Sequence, residues 1–194
     1  MELTEEQLAL QRAFASLFAK VATPEHVRAA EPLGFDPSLW RRVQQLGVPS
    51  MGLVAGLVDL AVVAEVAGRH LAPVPLVESL VATRVVGVDA GTLATIALRP
   101  GGRLVPAGAV ADVVVALDGD ELVAVRSRPP GAAPANLGSA PVADRDLSAG
   151  ERTVLARGAE AHERFERALD EWRVLTAAAL VGLARARSTS VSPT

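Results

Sequence analysis

Thr92-Leu-Ala-Thr-Ile-Ala-Leu98, closed by Arg99-Pro-Gly-Gly102, is where this sequence changes its grammar. An aliphatic and β-branched run ended by a Pro-Gly-Gly turn signal reads as a strand. Before it the apolar residues fall at helical spacing, and from 91 to 157 strand and turn signals dominate. The expected fold class is therefore α+β: an N-terminal helical bundle, a small antiparallel β domain and one long C-terminal helix.

Upstream, Thr4 precedes Glu5, Glu6 and Gln7 in a capping-box pattern, with Leu3 and Leu8 at the staple positions. Leu10, Phe14, Leu17, Phe18 and Val21 follow on one helical face. Thr23-Pro24 and Asp36-Pro37 each put a capping side chain before a proline at the first helical position. The Asp36 helix directs Leu39, Trp40, Val43 and Leu46 inward and stops at Gly47. Leu57 to His70 is apolar nearly all round, which marks a central helix of a bundle. Pro73-Val-Pro75 breaks the chain, and Leu76 to Val86 forms another helix. Five helices are expected within residues 1–90.

Downstream, Asp112 to Leu117 and Glu121 to Arg126 flank Asp118-Gly-Asp120, a hairpin signal. Pro141 to Leu147 and Arg152 to Ala156 read as weaker strands. From Gly158 the spacing is helical again, with Phe165, Leu169, Trp172, Thr176, Ala179 and Leu183 in one stripe. Residues 158–186 are read as the first helix of a C-terminal helical domain and 187–194 as a polar tail. Val174 to Ala184 is apolar nearly all round, so this helix is expected to self-associate into a homodimer or higher oligomer.

Composition excludes several classes. A chain of 194 residues buries roughly 70% of its unfolded surface, enough for a sizeable core. At 50% apolar and 21% charged it is globular rather than disordered. With 3% aromatics and no tyrosine, the core must be built from Ala, Val and Leu. The absence of cysteine rules out disulfides, thiolate metal sites and thiol catalysis. A net charge of −3 gives no pull toward nucleic acid or an anionic membrane. Met1 to Glu6 lacks a secretory signal, and Met51 to Ala67 is too short between Asp59 and Glu65 to span a bilayer. A cytoplasmic location is expected.

Catalytic motifs are scarce. His26, His70 and His162 fall on three expected helices, none in metal-ligand spacing, so no metal site is assigned. Glu65 and Glu78 sit in apolar helices, where burial can raise a carboxylate pKa; pairing with Arg69 or Arg84, or a partly exposed face, is the plainer alternative. Neither a Gly-x-Ser-x-Gly elbow nor a dinucleotide-binding glycine pattern is present.

The element order and several segments resemble the acyl-CoA dehydrogenase family. Leu3-Thr-Glu-Glu-Gln-Leu-Ala-Leu-Gln-Arg12 is similar to its opening helix, and Leu39-Trp-Arg-Arg-Val-Gln-Gln-Leu-Gly-Val48 to its W-x-x-L-x-x-L-G segment. Leu60-Ala-Val-Val-Ala-Glu-Val-Ala-Gly-Arg69 resembles the V-x-E-E-L-G-R helix. Pro73-Val-Pro-Leu-Val-Glu-Ser79 resembles the next segment of actinobacterial members. Val105-Pro106 through Ala111-Asp-Val-Val-Val115 is similar to a strand of the family's β domain, and Leu175-Thr-Ala-Ala-Ala-Leu-Val-Gly-Leu-Ala-Arg185 to the start of its C-terminal helices.

The resemblance implies FAD-dependent α,β-dehydrogenation of acyl-CoA thioesters in lipid or steroid catabolism. In that family a carboxylate takes the α-proton while hydride leaves the β-carbon for the flavin. By analogy Leu76, Ser79, Leu80 and Thr83 line the acyl slot, and Ile96, Ala97 and Leu98 lie where the flavin is held, by position only. The family's Thr-Glu-Pro flavin motif falls at Leu98-Arg-Pro100, where both polar contacts are lost. The catalytic glutamate belongs to helices this sequence does not reach, so no catalytic residue is assigned. The resemblance thus describes an incomplete acyl-CoA dehydrogenase fold, not active as this chain alone and not expected to bind FAD. The alternative is a non-catalytic subunit or assembly module of a heteromeric acyl-CoA dehydrogenase, with a second such subunit as partner.

Arg187-Ser-Thr-Ser-Val-Ser-Pro-Thr194 departs from the apolar repeat of the family's helix. A one-base deletion in GC-rich codons for Ala-Leu-Asp-Leu-Gly-Val-Ala-Tyr-Val-Lys yields this tail and a stop. The tail is therefore expected to be frameshifted and poorly packed, with a natural polar tail as the alternative.

Overall fold

The computed structural model describes residues 2–31, 33–87 and 92–189. Six helices lead the chain: α1 (Glu5–Val21), α2 (Pro24–Ala30), α3 (Pro37–Gln45), α4 (Val48–Val54), α5 (Leu57–Arg69) and α6 (Leu76–Val86). A sheet of β1 (Ala94–Ile96), β2 (Val113–Asp118), β3 (Glu121–Arg126) and β4 (Glu151–Arg157) follows, and α7 (Gly158–Thr189) ends the described chain. The α+β class is as expected.

Local signals set most helix starts. Thr4 Oγ1 accepts from the Gln7 backbone N–H at 3.2 Å, and Gln7 Oε1 accepts from the Thr4 N–H at 3.1 Å, closing the capping box. The Gln7 amide also donates to Asp59 at 2.9 Å, tying α1 to the start of α5. Thr23 caps α2, and Asp36 Oδ1 accepts from Ser38 and Leu39 to cap α3. Leu39, Trp40 and Val43 are buried, but Leu46 is 44% exposed, contrary to expectation. It sits at the C-cap of α3, where the helical face ends before Gly47 turns the chain with φ 81°. The unforeseen helix is α4; its Val-Pro-Ser-Met-Gly start carries little helix propensity, so packing against α6 sustains it.

The sheet order is β1-β2-β3-β4. β2–β3 and β3–β4 are antiparallel, but β1 runs parallel to β2, a departure from the wholly antiparallel expectation. A parallel pair needs a long crossover, which residues 97–112 supply. Alternation along β2 sends Val113 and Val115 toward the helices and Val114 and Ala116 to a smaller cluster with Val105, Val123, Val125 and Leu147. Pro141 to Leu147 does not form the expected strand; one bridge, Val105 to Ala143, is its whole ladder. The buried Arg145 holds the segment instead, donating to the carbonyls of Gly108, Ala111 and Ser127 and to the Ser127 hydroxyl.

α7 has 32 residues, about 48 Å at 1.5 Å per residue. It runs to Thr189, three residues beyond the expected end at 186, because no Gly or Pro interrupts Arg187 to Thr189. Residues 190–194 of the tail lie outside the described residues. α7 packs along α5 through two glycines. A Cβ on Gly182 would meet the Glu65 carbonyl oxygen at 1.9 Å, and one on Gly68 the Ala179 carbonyl oxygen at 2.0 Å. Such close backbone approach is open to glycine alone. Phe165, Ala168, Leu169 and Leu175 are buried in the main core with Phe14, Phe18 and Leu60. On the other face of α7, Val174, Leu180 and Val181 are 46%, 59% and 45% exposed. Among the described residues no helix is long and apolar enough to cross a membrane.

Candidate functional site

α5 is capped at its C-terminus by His70, and Leu71 turns the chain with φ 48°. Pro73 and Pro75 each sit in a tight turn, closed by Val74 N–H to the Ala72 carbonyl and Leu76 N–H to the Val74 carbonyl, before α6 begins. The Asp36 N–H donates to the Pro73 carbonyl, anchoring this rigid segment to the α3 cap. Opposite stands α7 with Trp172, Thr176 and Ala179. Across from both lie Pro106, Ala107 and the 137–141 loop. That loop is shaped by Asn136, whose amide donates to the carbonyls of Pro134 and Ala140 and whose Oδ1 accepts from the Ala140 N–H. Between these walls is a cavity of about 550 Å³, within the range of small-molecule sites.

The walls are chiefly hydrocarbon from Ala64, Ala67, Pro73, Val74, Leu76 and Ala140. Glu78, in the first turn of α6, breaks that surface. The Trp172 indole N–H donates to its Oε1 at 3.3 Å. Burial pushes the Glu78 carboxyl above the usual carboxylate range, outweighing the backbone and Trp172 hydrogen bonds that favour the charged form. The plainer alternatives hold in part: Arg69 pairs with Glu65 at 3.6 Å and Glu78 is only half-buried, whereas Arg84 pairs with Glu171 at 2.8 Å rather than with Glu78. Arg185 on α7 also reaches Glu65. Glu31, the other carboxylate of the cavity, is exposed.

The histidines stand apart from each other. His26 meets Thr23 at the α2 cap, and His162 lies 3.2 Å from Asp120. His70 closes α5 against Phe18, with its pKa lowered by burial and then by Arg69.

Of the four residues placed in the acyl slot by resemblance, Leu76 lines the cavity. Ser79, Leu80 and Thr83 are buried in the core, and the Thr83 hydroxyl has no hydrogen-bond partner among the described residues. Ile96 and Ala97 are fully buried, one in the main core and the other in the smaller cluster, while Leu98 is half-buried. The neighbouring Thr95 hydroxyl donates to the Pro106 carbonyl. A flavin edge needs open surface with hydrogen-bond donors; hydrocarbon packed on both sides of β1 does not fit one.

Sequence reasoning singled out Glu78 and Trp172 separately and missed their pairing, which joins residues 94 positions apart. The 137–141 wall carried no motif that marks it as part of a site.

No family model matches the chain. The chain is 33% identical over 141 residues to "Acyl-CoA dehydrogenase IpdE2" of Mycolicibacterium smegmatis, covering 62% of this chain and 45% of that protein. It is 39% identical over 88 residues to the Mycobacterium tuberculosis protein of the same name, covering 40% and 28%. The match thus spans less than half the length of either relative. Among solved structures, "Tcur3481-Tcur3483 steroid ACAD G363A variant" has a TM-score of 0.78 at 24% identity, covering 94% of this chain and 64% of that one. The "ChsE4-ChsE5 complex from Mycobacterium tuberculosis" has a TM-score of 0.69 at 20% identity, covering 100% and 69%. These two likenesses establish the fold. Sequence and fold agree with the acyl-CoA dehydrogenase resemblance read from residues 3 to 185.

Proposed function

We propose that this chain supplies the acyl-holding wall of an acyl-CoA dehydrogenase-type enzyme and acts with a second subunit that carries the flavin and the catalytic carboxylate. One observation carries the reading. An open apolar cavity lies between α6, α7 and the sheet unit, while Ile96 and Ala97, at the expected flavin positions, are packed with hydrocarbon. In that family FAD supplies the oxidising chemistry. This chain's own residues hold the acyl group and exclude water, with Pro73 to Leu76 as one wall and Trp172 to Ala179 as the other. The substrate class is a lipid or steroid acyl thioester. The structural neighbours are titled as a steroid enzyme and as a two-component complex, which supports a partner subunit here. It packs on the exposed α7 face of Val174, Leu180 and Val181, where each fully buried side chain contributes roughly 1.5–3 kcal/mol. A homodimer through the same face is the other occupant.

Purified alone, the chain is expected to be colourless, inactive toward octanoyl-CoA and associated through α7, with Leu180→Glu giving a monomer on gel filtration. Stoichiometric flavin after gel filtration, or a monodisperse wild-type monomer at high concentration, contradicts this.

A further inference from the structure

The last turn of α5 ends with the Ala72 N–H donating to the Ala67 carbonyl and the Leu71 N–H to the Gly68 carbonyl, both at 3.1 Å. The left-handed residue of such an ending is ordinarily glycine or asparagine. Here it is Leu71, with φ 48° and 55% of its surface exposed. A branched side chain in that conformation costs stability, and exposure leaves it little burial within this chain to offset the cost. Across the cavity, Leu137 is fully exposed on a loop that is held in place. Asn136 bonds both ways with Ala140, and the Ser139 carbonyl oxygen lies 1.7 Å from where a Cβ on Gly34 would stand. Both leucines line the cavity, so each stands where it opens to solvent. Glu31 is exposed on the same cavity, so its mouth accepts a polar side chain and does not force leucine there. Of the four non-glycine residues with positive φ among the described residues, three, Leu71, Ala107 and Ser139, line this cavity. Backbone strain gathered in this way is a property of ligand clamps.

We infer that Leu71 and Leu137 are the apolar lips of the cavity and contact the hydrocarbon of the acyl ligand where it crosses the mouth. This rests on the reading of the cavity as an acyl-holding site and names the side chains that set its grip. The ligand covers leucine surface that the free chain leaves to water, so apolar area at the lips is buried on binding alone. Both lips are fixed beforehand, Leu71 by the backbone bonds of its turn and Leu137 by the Asn136 loop, so binding needs little ordering there. Ligands with a methylene chain or a ring at the mouth are preferred over those with a polar group at that point. Leu104 supplies the contrast, with φ 48° and 58% exposure but no place in the cavity wall.

The test measures octanoyl-CoA binding to the whole chain by equilibrium dialysis, with Tm recorded for every variant. Leu71→Asn keeps the left-handed turn and removes one lip; Leu137→Ser removes the other. Each is expected to weaken binding about fivefold, the loss for roughly half a leucine's burial, and the two together about twentyfold. The Tm of Leu71→Asn is expected at or above that of wild type, because asparagine suits the turn better, a result that a merely structural leucine would not give. Leu104→Asn makes the same exchange in the same conformation away from the cavity and is expected to leave binding unchanged. Equal affinities in wild type and both lip variants, or an equal loss in Leu104→Asn, overturn the lips and leave the cavity reading standing. Absence of saturable binding by wild type overturns the cavity reading, and this inference with it.

Discussion

The start of α6 and the strand β1 are two places where the resemblance puts a ligand, and the chain treats them oppositely. At α6 the walls stand apart around a cavity of about 550 Å³, with a carboxyl whose charged form burial disfavours. At β1 the side chains of Ile96 and Ala97 close against hydrophobic clusters on both sides of the sheet. Packed interiors leave few voids, so an open apolar cavity beside a filled strand marks where room for a ligand is kept. The difference teaches that family position alone does not assign a site; the start of α6 keeps open space and β1 does not.

The hardest way to break this contrast is to push its two helical walls apart. Gly182→Leu puts side-chain atoms where the Glu65 carbonyl already stands and forces α7 off α5. We expect a loss of about 3 kcal/mol and a fall in Tm of roughly 6–12 °C by calorimetry, with loss of ligand binding. An unchanged Tm would show that the close approach of α5 and α7 is not what sets the cavity.

A smaller effect sharpens the polar half of the comparison. The folded pKa of Glu78 is raised above the ordinary 4.5. A group of this sign contributes its full stability below the unfolded pKa and loses it as pH rises through the folded value. Glu78→Gln removes the titration, so its Tm relative to wild type should rise as the pH is raised from the ordinary 4.5 toward neutral. A constant difference across that range would remove the buried-acid account.

Helix starts were legible because their causes are local. Thr4 with Gln7, Thr23-Pro24 and Asp36-Pro37 each place the cap within three residues of what it caps. Leu76 to Val86 has the bounds its apolar run foretells. The misses have distant causes. Pro141 to Leu147 looks like a strand until Arg145 is seen to donate to carbonyls 18 to 37 residues away. α4 survives on contact with α6, not on its own propensity. The candidate site divided in the same way: an apolar helix containing Glu78 was visible, whereas the indole that meets it lies 94 residues on. Ser79, Leu80 and Thr83 came from resemblance alone, and they pack into the core.

The central claim is that the cavity between α6 and α7 holds an acyl group, and filling it tests this most directly. Thr176 lines the cavity from α7, and Thr176→Phe places a ring in the space without touching the glycine contacts with α5. Binding of octanoyl-CoA is measured by equilibrium dialysis for wild type and variant, with Tm recorded for each. We predict saturable binding to wild type and at least a tenfold loss in the variant at a Tm within about 3 °C, the shift for roughly 1 kcal/mol in a chain of this size. Equal binding by the two proteins would contradict the account.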